Sequence, residues 1–178
     1  MDARFAYVAA CLTLTACATT QGPAQVGVTT PSAQPSSAAF RSTDFAWSTA
    51  PGRAVIQGQL TFRPNGVGYS CAAAGVVATP DTPWVRSRMQ ILYNSAEAAS
   101  LPAEEVRRRT PPERSQDYSS FVKRATCDAV GRFSFTGVPD GAWYVITVAR
   151  PVYAGSGKDM ALMRRVVIRN GKTVNVKL

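Results

Sequence analysis

Apolar and polar positions divide the 178-residue chain into three parts. An apolar run covers 5–14. A tract from 18 to 52 follows, rich in Ala, Thr, Ser, Gln, Pro and Gly, and nothing between Ala18 and Phe40 is charged. From 54 onward a period of two takes over. Ile56, Gly58, Leu60 and Phe62 fall on one side and Gln57, Gln59 and Thr61 on the other, the pattern of a half-buried strand. Pro64-Asn65-Gly66 is a turn signal, and the chain returns through 69–79 with Val76 and Val77 apolar. Strand patterns resume at 118–127, 132–138, 142–150, 160–169 and 172–178. Asn170-Gly171 between the last two is a type I′ hairpin signal.

The period changes between 80 and 116. Asp81-Thr82-Pro83 supplies a capping residue and a proline for a first helical turn. Trp84, Val85, Met89, Leu92 and Tyr93 then recur at helical spacing to about Asn94. A second short helix is expected after Pro102. There Glu104 and Glu105 suit the positive end of the helix dipole, and Arg107, Arg108 and Arg109 the negative end. Thr110-Pro111-Pro112 cannot continue it. This stretch, about 81–116, reads as a helical insertion between strands. Short strands separated by turn residues predict a mainly β fold, an antiparallel β-sandwich carrying that insertion over 53–178.

The apolar run at 5–14 is shorter than the roughly 20 residues that cross a bilayer as a helix, and it has the layout of a secretory signal. Its end, Leu14-Thr15-Ala16-Cys17, resembles the lipobox of bacterial lipoproteins. That resemblance implies that 1–16 is removed and that Cys17 carries a diacylglyceryl group and an acylated amine. Two or three acyl chains hold a protein stably on a bilayer. Ala18, rather than Asp, after the Cys implies sorting to the outer membrane. The tract up to 52 then reads as a flexible linker, because it has too little apolar surface to offset its ordering entropy. It spans roughly 25–35 Å as a coil. Phe45 and Trp47 near its end are expected to dock on the domain.

Asp128-Ala129-Val130-Gly131-Arg132-Phe133-Ser134-Phe135, followed by Val138-Pro139-Asp140-Gly141-Ala142-Trp143, resembles the D-x-x-G-x-F-x-F…P-x-G-x-Y signature of carboxypeptidase regulatory-like domains. These are transthyretin-like (prealbumin-like) sandwiches. Trp143 stands where the usual residue is Tyr. Val55 to Leu60 looks like the family's first strand, and Val166-Val167-Ile168 with Val174-Asn175-Val176 like its last hairpin. The residues themselves explain the pattern. Asp128 and Gly131 make a tight turn, with Gly accepting positive φ and Asp bonding the following backbone. Phe133 and Phe135, two apart, enter the core from one face. Asp140-Gly141 turns the chain again, and Trp143, Val145 and Thr147 then point one way. Asp128 and Asp140 do not lie in a dense oxygen-ligand loop of the kind that binds cations.

Composition then narrows the chemistry. The chain has no His, so imidazole is unavailable as base, orienter or metal ligand. Gly155-Ser156-Gly157-Lys158 lacks the earlier Gly and the following Ser or Thr of a phosphate loop. Glu104 and Glu105 are adjacent and diverge on a helix. Transthyretin-related hydroxyisourate hydrolases use His residues and a C-terminal motif that this chain lacks. No catalysis, cofactor or metal is expected. Cys11 leaves with the signal and Cys17 becomes the anchor, so Cys71 and Cys127 remain in an oxidising compartment. They are expected to pair, two separated thiols being the alternative. Such a bridge closes a loop that the chain-entropy model values at roughly 4 kcal/mol.

Net charge is +9. Arg107, Arg108 and Arg109 are the densest basic run and a candidate anion-binding patch, set against a merely solvated face. The expected partners are the membrane, through the lipid, and an envelope protein or polyanion; an exported protein is not expected to meet nucleic acid. The reading is therefore an outer-membrane-anchored binding or scaffolding module. An assembly lipoprotein of a secretion or envelope machine is the alternative.

Overall fold

The computed structural model describes residues 38–110 and 118–178. Cys17, the expected signal and most of the expected linker lie outside the described residues.

Strand β1 (Ala54–Gln59) keeps the expected alternation: Ala54, Ile56 and Gly58 are buried, Gln57 and Gln59 exposed. It is the middle of a three-stranded sheet. β6 (Arg132–Val138) lies antiparallel on one side and β9 (Val174–Lys177) parallel on the other. The turn into β6 forms as its residues dictate. Asp128 Oδ1 accepts from the amides of Val130 (2.9 Å) and Arg132 (2.7 Å), and Gly131 has φ +78°. Phe133 and Phe135 both point inward, their ring centroids 6.0 Å apart. Gly58 faces Phe133 across the ladder, and a Cβ there would collide with the ring. Glycine at this place lets the aromatic fill the core directly against the β1 backbone.

The second sheet has six strands. β4 (Ala98–Pro102), β8 (Met160–Ile168), β7 (Gly141–Pro151), β3 (Gly75–Pro80) and β5 (Lys123–Thr126) run in that order, and β2 (Tyr69–Ser70) pairs with the far end of β7. All of these pairings are antiparallel. The two sheets share one core in which Ile56, Phe133, Phe135 and Val176 meet Val76, Trp143, Val145, Leu162 and Ile168. Mainly β, with two sheets and short helical pieces, the fold is the expected sandwich.

The helices form a third layer. Thr82 Oγ1 accepts from the Val85 amide (3.2 Å), Pro83 opens α1 (Pro83–Tyr93), and Asn94 ends it in the left-handed conformation. Val85, Met89, Leu92 and Tyr93 cover Tyr144, Ala161 and Met163 on the outer face of the large sheet. α2 (Ala103–Arg109) has the expected acidic start and basic end. Residues 143–145 are consequently buried one after another, Trp143 and Val145 in the sandwich and Tyr144 under the helices.

Four local expectations need correction. Ser42–Thr49, read as linker, is a 3-10 helix that belongs to the domain. Phe45 is fully buried beside Phe121 (centroids 4.9 Å), and Trp47 lies edge-on to Trp143 at 5.2 Å; both docked aromatics are as expected. The insertion is not wholly helical, because β4 lies within it and pairs with β8. The strand at 118–127 is limited to Lys123–Thr126, preceded by a 3-10 turn at Ser119–Phe121. Finally, Asn170 (φ +59°) and Gly171 (φ +63°) adopt the turn geometry their sequence implies, yet no hairpin results. The turn carries the chain from the large sheet to the small one, where β9 pairs parallel to β1.

Cys71 and Cys127 are bridged, with Cα atoms 5.7 Å apart. The bridge joins the turn before β3 to the end of β5, and so closes off the whole helical insertion, as expected.

Candidate functional site: a polar groove on the small sheet

Among the described residues, no third layer covers the outer face of the three-stranded sheet. A groove of about 710 Å³ lies along it. Ladder register sets its lining in two rungs. Gln57 pairs with Ser134 on β6 and with Asn175 on β9; Gln59 pairs with Arg132 and with Lys177. All six side chains sit on the exposed parity of their strands. One rung is thus hydroxyl–amide–amide and the next guanidinium–amide–ammonium. Their spacing follows from strand geometry, roughly 7 Å between rungs and 5 Å between strands.

These groups are uncommitted. Among the described residues, none of the six side chains makes a side-chain hydrogen bond, and neither Arg132 nor Lys177 has a carboxylate within ion-pairing distance. Asp128 borders the groove, but its Oδ1 already holds two backbone amides. Phe133 is the aromatic residue in the lining, and it is only 5% exposed. The arrangement offers donors, acceptors and two positive charges. It contains no nucleophile–base pair, and among the described residues no group of three or more His, Cys, Asp or Glu could hold a metal ion.

No family model and no curated protein matches the chain. Among solved structures, its fold is similar to that of a proposed carbohydrate-binding protein of Pseudomonas aeruginosa. The TM-score is 0.56 at 21% identity, over 79% of this chain and 97% of that one. At that identity the likeness establishes the β-sandwich architecture.

A second polar feature serves the fold. The Asp81 carboxylate is fully buried. It receives Arg86 in two-pronged fashion (Nε 3.0 Å, Nη2 2.6 Å) and Arg165 Nε at 2.6 Å. Both guanidinium pKa values are raised, first by the hydrogen bond to Asp81. The knot ties the start of α1 to β8. Beside it, next to Arg86, the Tyr144 hydroxyl is buried and makes no hydrogen bond of full geometry among the described residues. Burial, then the Asp81 charge, pushes its pKa up to about 12.

The other expected site residues lie apart. Arg107 and Arg108 are exposed on α2, whereas Arg109 pairs with Glu105 and donates to the Leu92 carbonyl (3.3 Å). The three arginines therefore do not converge on one point. Asp128, Gly131, Phe133, Phe135, Pro139, Gly141 and Trp143 hold turns and core. Trp143 Nε1 donates to the Pro139 carbonyl (3.3 Å), and Asp140 Oδ1 accepts from the Gly171 amide (2.8 Å). Gly155 to Lys158 form part of the exposed β7–β8 connection. The groove residues were not singled out from the sequence. Their signal was the period-two polar pattern Gln57/Gln59, Arg132/Ser134 and Asn175/Lys177, which means little until the strands are placed side by side.

Proposed function

We propose that the protein is a lipid-anchored, non-catalytic binding module of the bacterial envelope, and that its ligand is a saccharide seated in the groove on the small sheet. The observation that carries this reading is the pair of rungs: six polar side chains, in register, with their hydrogen-bonding capacity unspent among the described residues. Hydroxyl-rich ligands are recognised by such convergent donors and acceptors. The lipobox-like Leu14-Thr15-Ala16-Cys17 and the uncharged tract behind it support attachment by lipid to the outer membrane. The Asp128 to Trp143 signature supports kinship with carboxypeptidase regulatory-like sandwiches. The name of the Pseudomonas aeruginosa neighbour is in keeping with a sugar ligand.

Two measurements test the reading. Cys17→Ala should move the protein from the membrane fraction to the soluble fraction; retention on membranes would remove the lipid anchor from the account. Co-sedimentation with isolated envelope polysaccharide should be lost in Gln57→Ala/Asn175→Ala at unchanged melting temperature. Undiminished binding would place the site elsewhere.

A further inference from the structure

We infer that the groove selects an acidic saccharide, with a sugar carboxylate held between Arg132 and Lys177 over Gln59, and neighbouring hydroxyls on the Ser134–Gln57–Asn175 rung. This rests on the reading of the groove as a saccharide site and narrows its ligand class.

The register puts the argument in place. Arg132 and Lys177 flank the same residue, Gln59, on opposite neighbouring strands. Their backbones are therefore two strand spacings apart, roughly 10 Å. Long side chains from that separation can close on one anionic group lying above the central strand. No carboxylate of the chain neutralises either cation among the described residues. Asp128, the acid at the margin, spends Oδ1 on two amides of its own turn. Two cations without an ion-pair partner among the described residues, against one marginal carboxylate held in its own turn, leave the centre of the groove net positive, and an anion matches it.

The adjoining rung limits the kind of anion. Hydroxyl and amide groups suit alcohol hydroxyls, each of which donates and accepts. A uniformly charged polymer would leave that rung idle. Neutral sugars commonly gain affinity by laying an apolar ring face on an aromatic platform, and the groove has none, since Phe133 is turned into the core. Affinity then depends on charge-assisted hydrogen bonds, of which guanidinium to carboxylate is the strong, two-pronged form.

The test uses the full chain and isothermal titration with tetragalacturonate, its methyl ester, the neutral galactose tetramer and inorganic polyphosphate. Tetragalacturonate should bind, and esterification should weaken it about tenfold or more, the loss expected for one charge-assisted contact. Arg132→Gln and Lys177→Gln should each reproduce that loss for the acid and leave the ester unchanged. Gln57→Ala should weaken acid and ester alike. If acid and neutral tetramers bind equally and Gln57→Ala weakens both, the acidic class is overturned while the saccharide site stands. If polyphosphate matches the tetragalacturonate, or the acid still binds Arg132→Gln/Lys177→Gln undiminished, the carboxylate seat is wrong. If none of the sugars binds, both this inference and the saccharide site fail.

Discussion

Among the described residues, the six-stranded sheet packs on the small sheet on one side and carries the helices on the other, whereas the three-stranded sheet is covered on one face. The sequence carries the difference. β7 contributes Trp143, Tyr144 and Val145 to alternate faces, all fully buried. β1, β6 and β9 bury every second residue and leave Gln57, Ser134 and Asn175 outside. A sheet packed on both sides has little free face to offer a ligand. The singly buried sheet has one, and there the free face is grooved, polar and unpaired. Stability should therefore be concentrated in the large sheet and its two coverings, and recognition on the small one.

That division makes graded predictions. Trp143→Ala removes a fully buried ring that spans the sandwich core and braces Trp47, and should cost about 4–5 kcal/mol in chemical denaturation. Cys71→Ala/Cys127→Ala releases the insertion and should cost roughly 3–4 kcal/mol. A drop below about 1 kcal/mol would mean that the helical layer keeps the loop closed without the bridge.

Alkali acts under the helices. Tyr144 and Tyr93 are each held neutral, chiefly by burial, with pKa pushed up to about 12 from an ordinary 10. Folding favours the protonated phenol, so this stability is whole below pH 10 and lost as pH rises towards 12. Melting temperature measured across pH 9–12 should fall accordingly. Tyr144→Phe should remove part of that fall and cost little at neutral pH, because the hydroxyl it deletes makes no hydrogen bond of full geometry among the described residues. Asp81→Asn strips two guanidiniums of their carboxylate. The loss should be about 2 kcal/mol, below the usual cost of breaking a buried pair because Arg86 is 56% exposed. Gln57→Ala, on the open face, should change stability by less than about 0.5 kcal/mol.

Much of the large-sheet side was legible in sequence because its signals are local. Thr82 and Pro83 mark a helix start and Asn94 accepts positive φ; the Asp128–Gly131 turn that leads over to the small sheet is equally local, fixed by one carboxylate and one glycine. β4 was not legible. Ala98 to Pro102 has no β-branched residue, and it is a strand because the exposed edge of β8 recruits it. The parallel placement of β9 was also hidden, since Asn170-Gly171 dictates how the chain turns and not which strand it joins. The candidate site needed that placement. Gln59 and Lys177 are far apart in sequence, and only a parallel β9 sets the ammonium beside the amide opposite Arg132.

Side-chain amide resonances offer a readout at the groove itself. In a titration of the labelled protein with soluble envelope polysaccharide, Gln57, Gln59 and Asn175 should shift together and saturably, with Gln90 on α1 unmoved. Shifts confined to α1 and α2 while those three amides stay fixed would contradict a binding face on the small sheet.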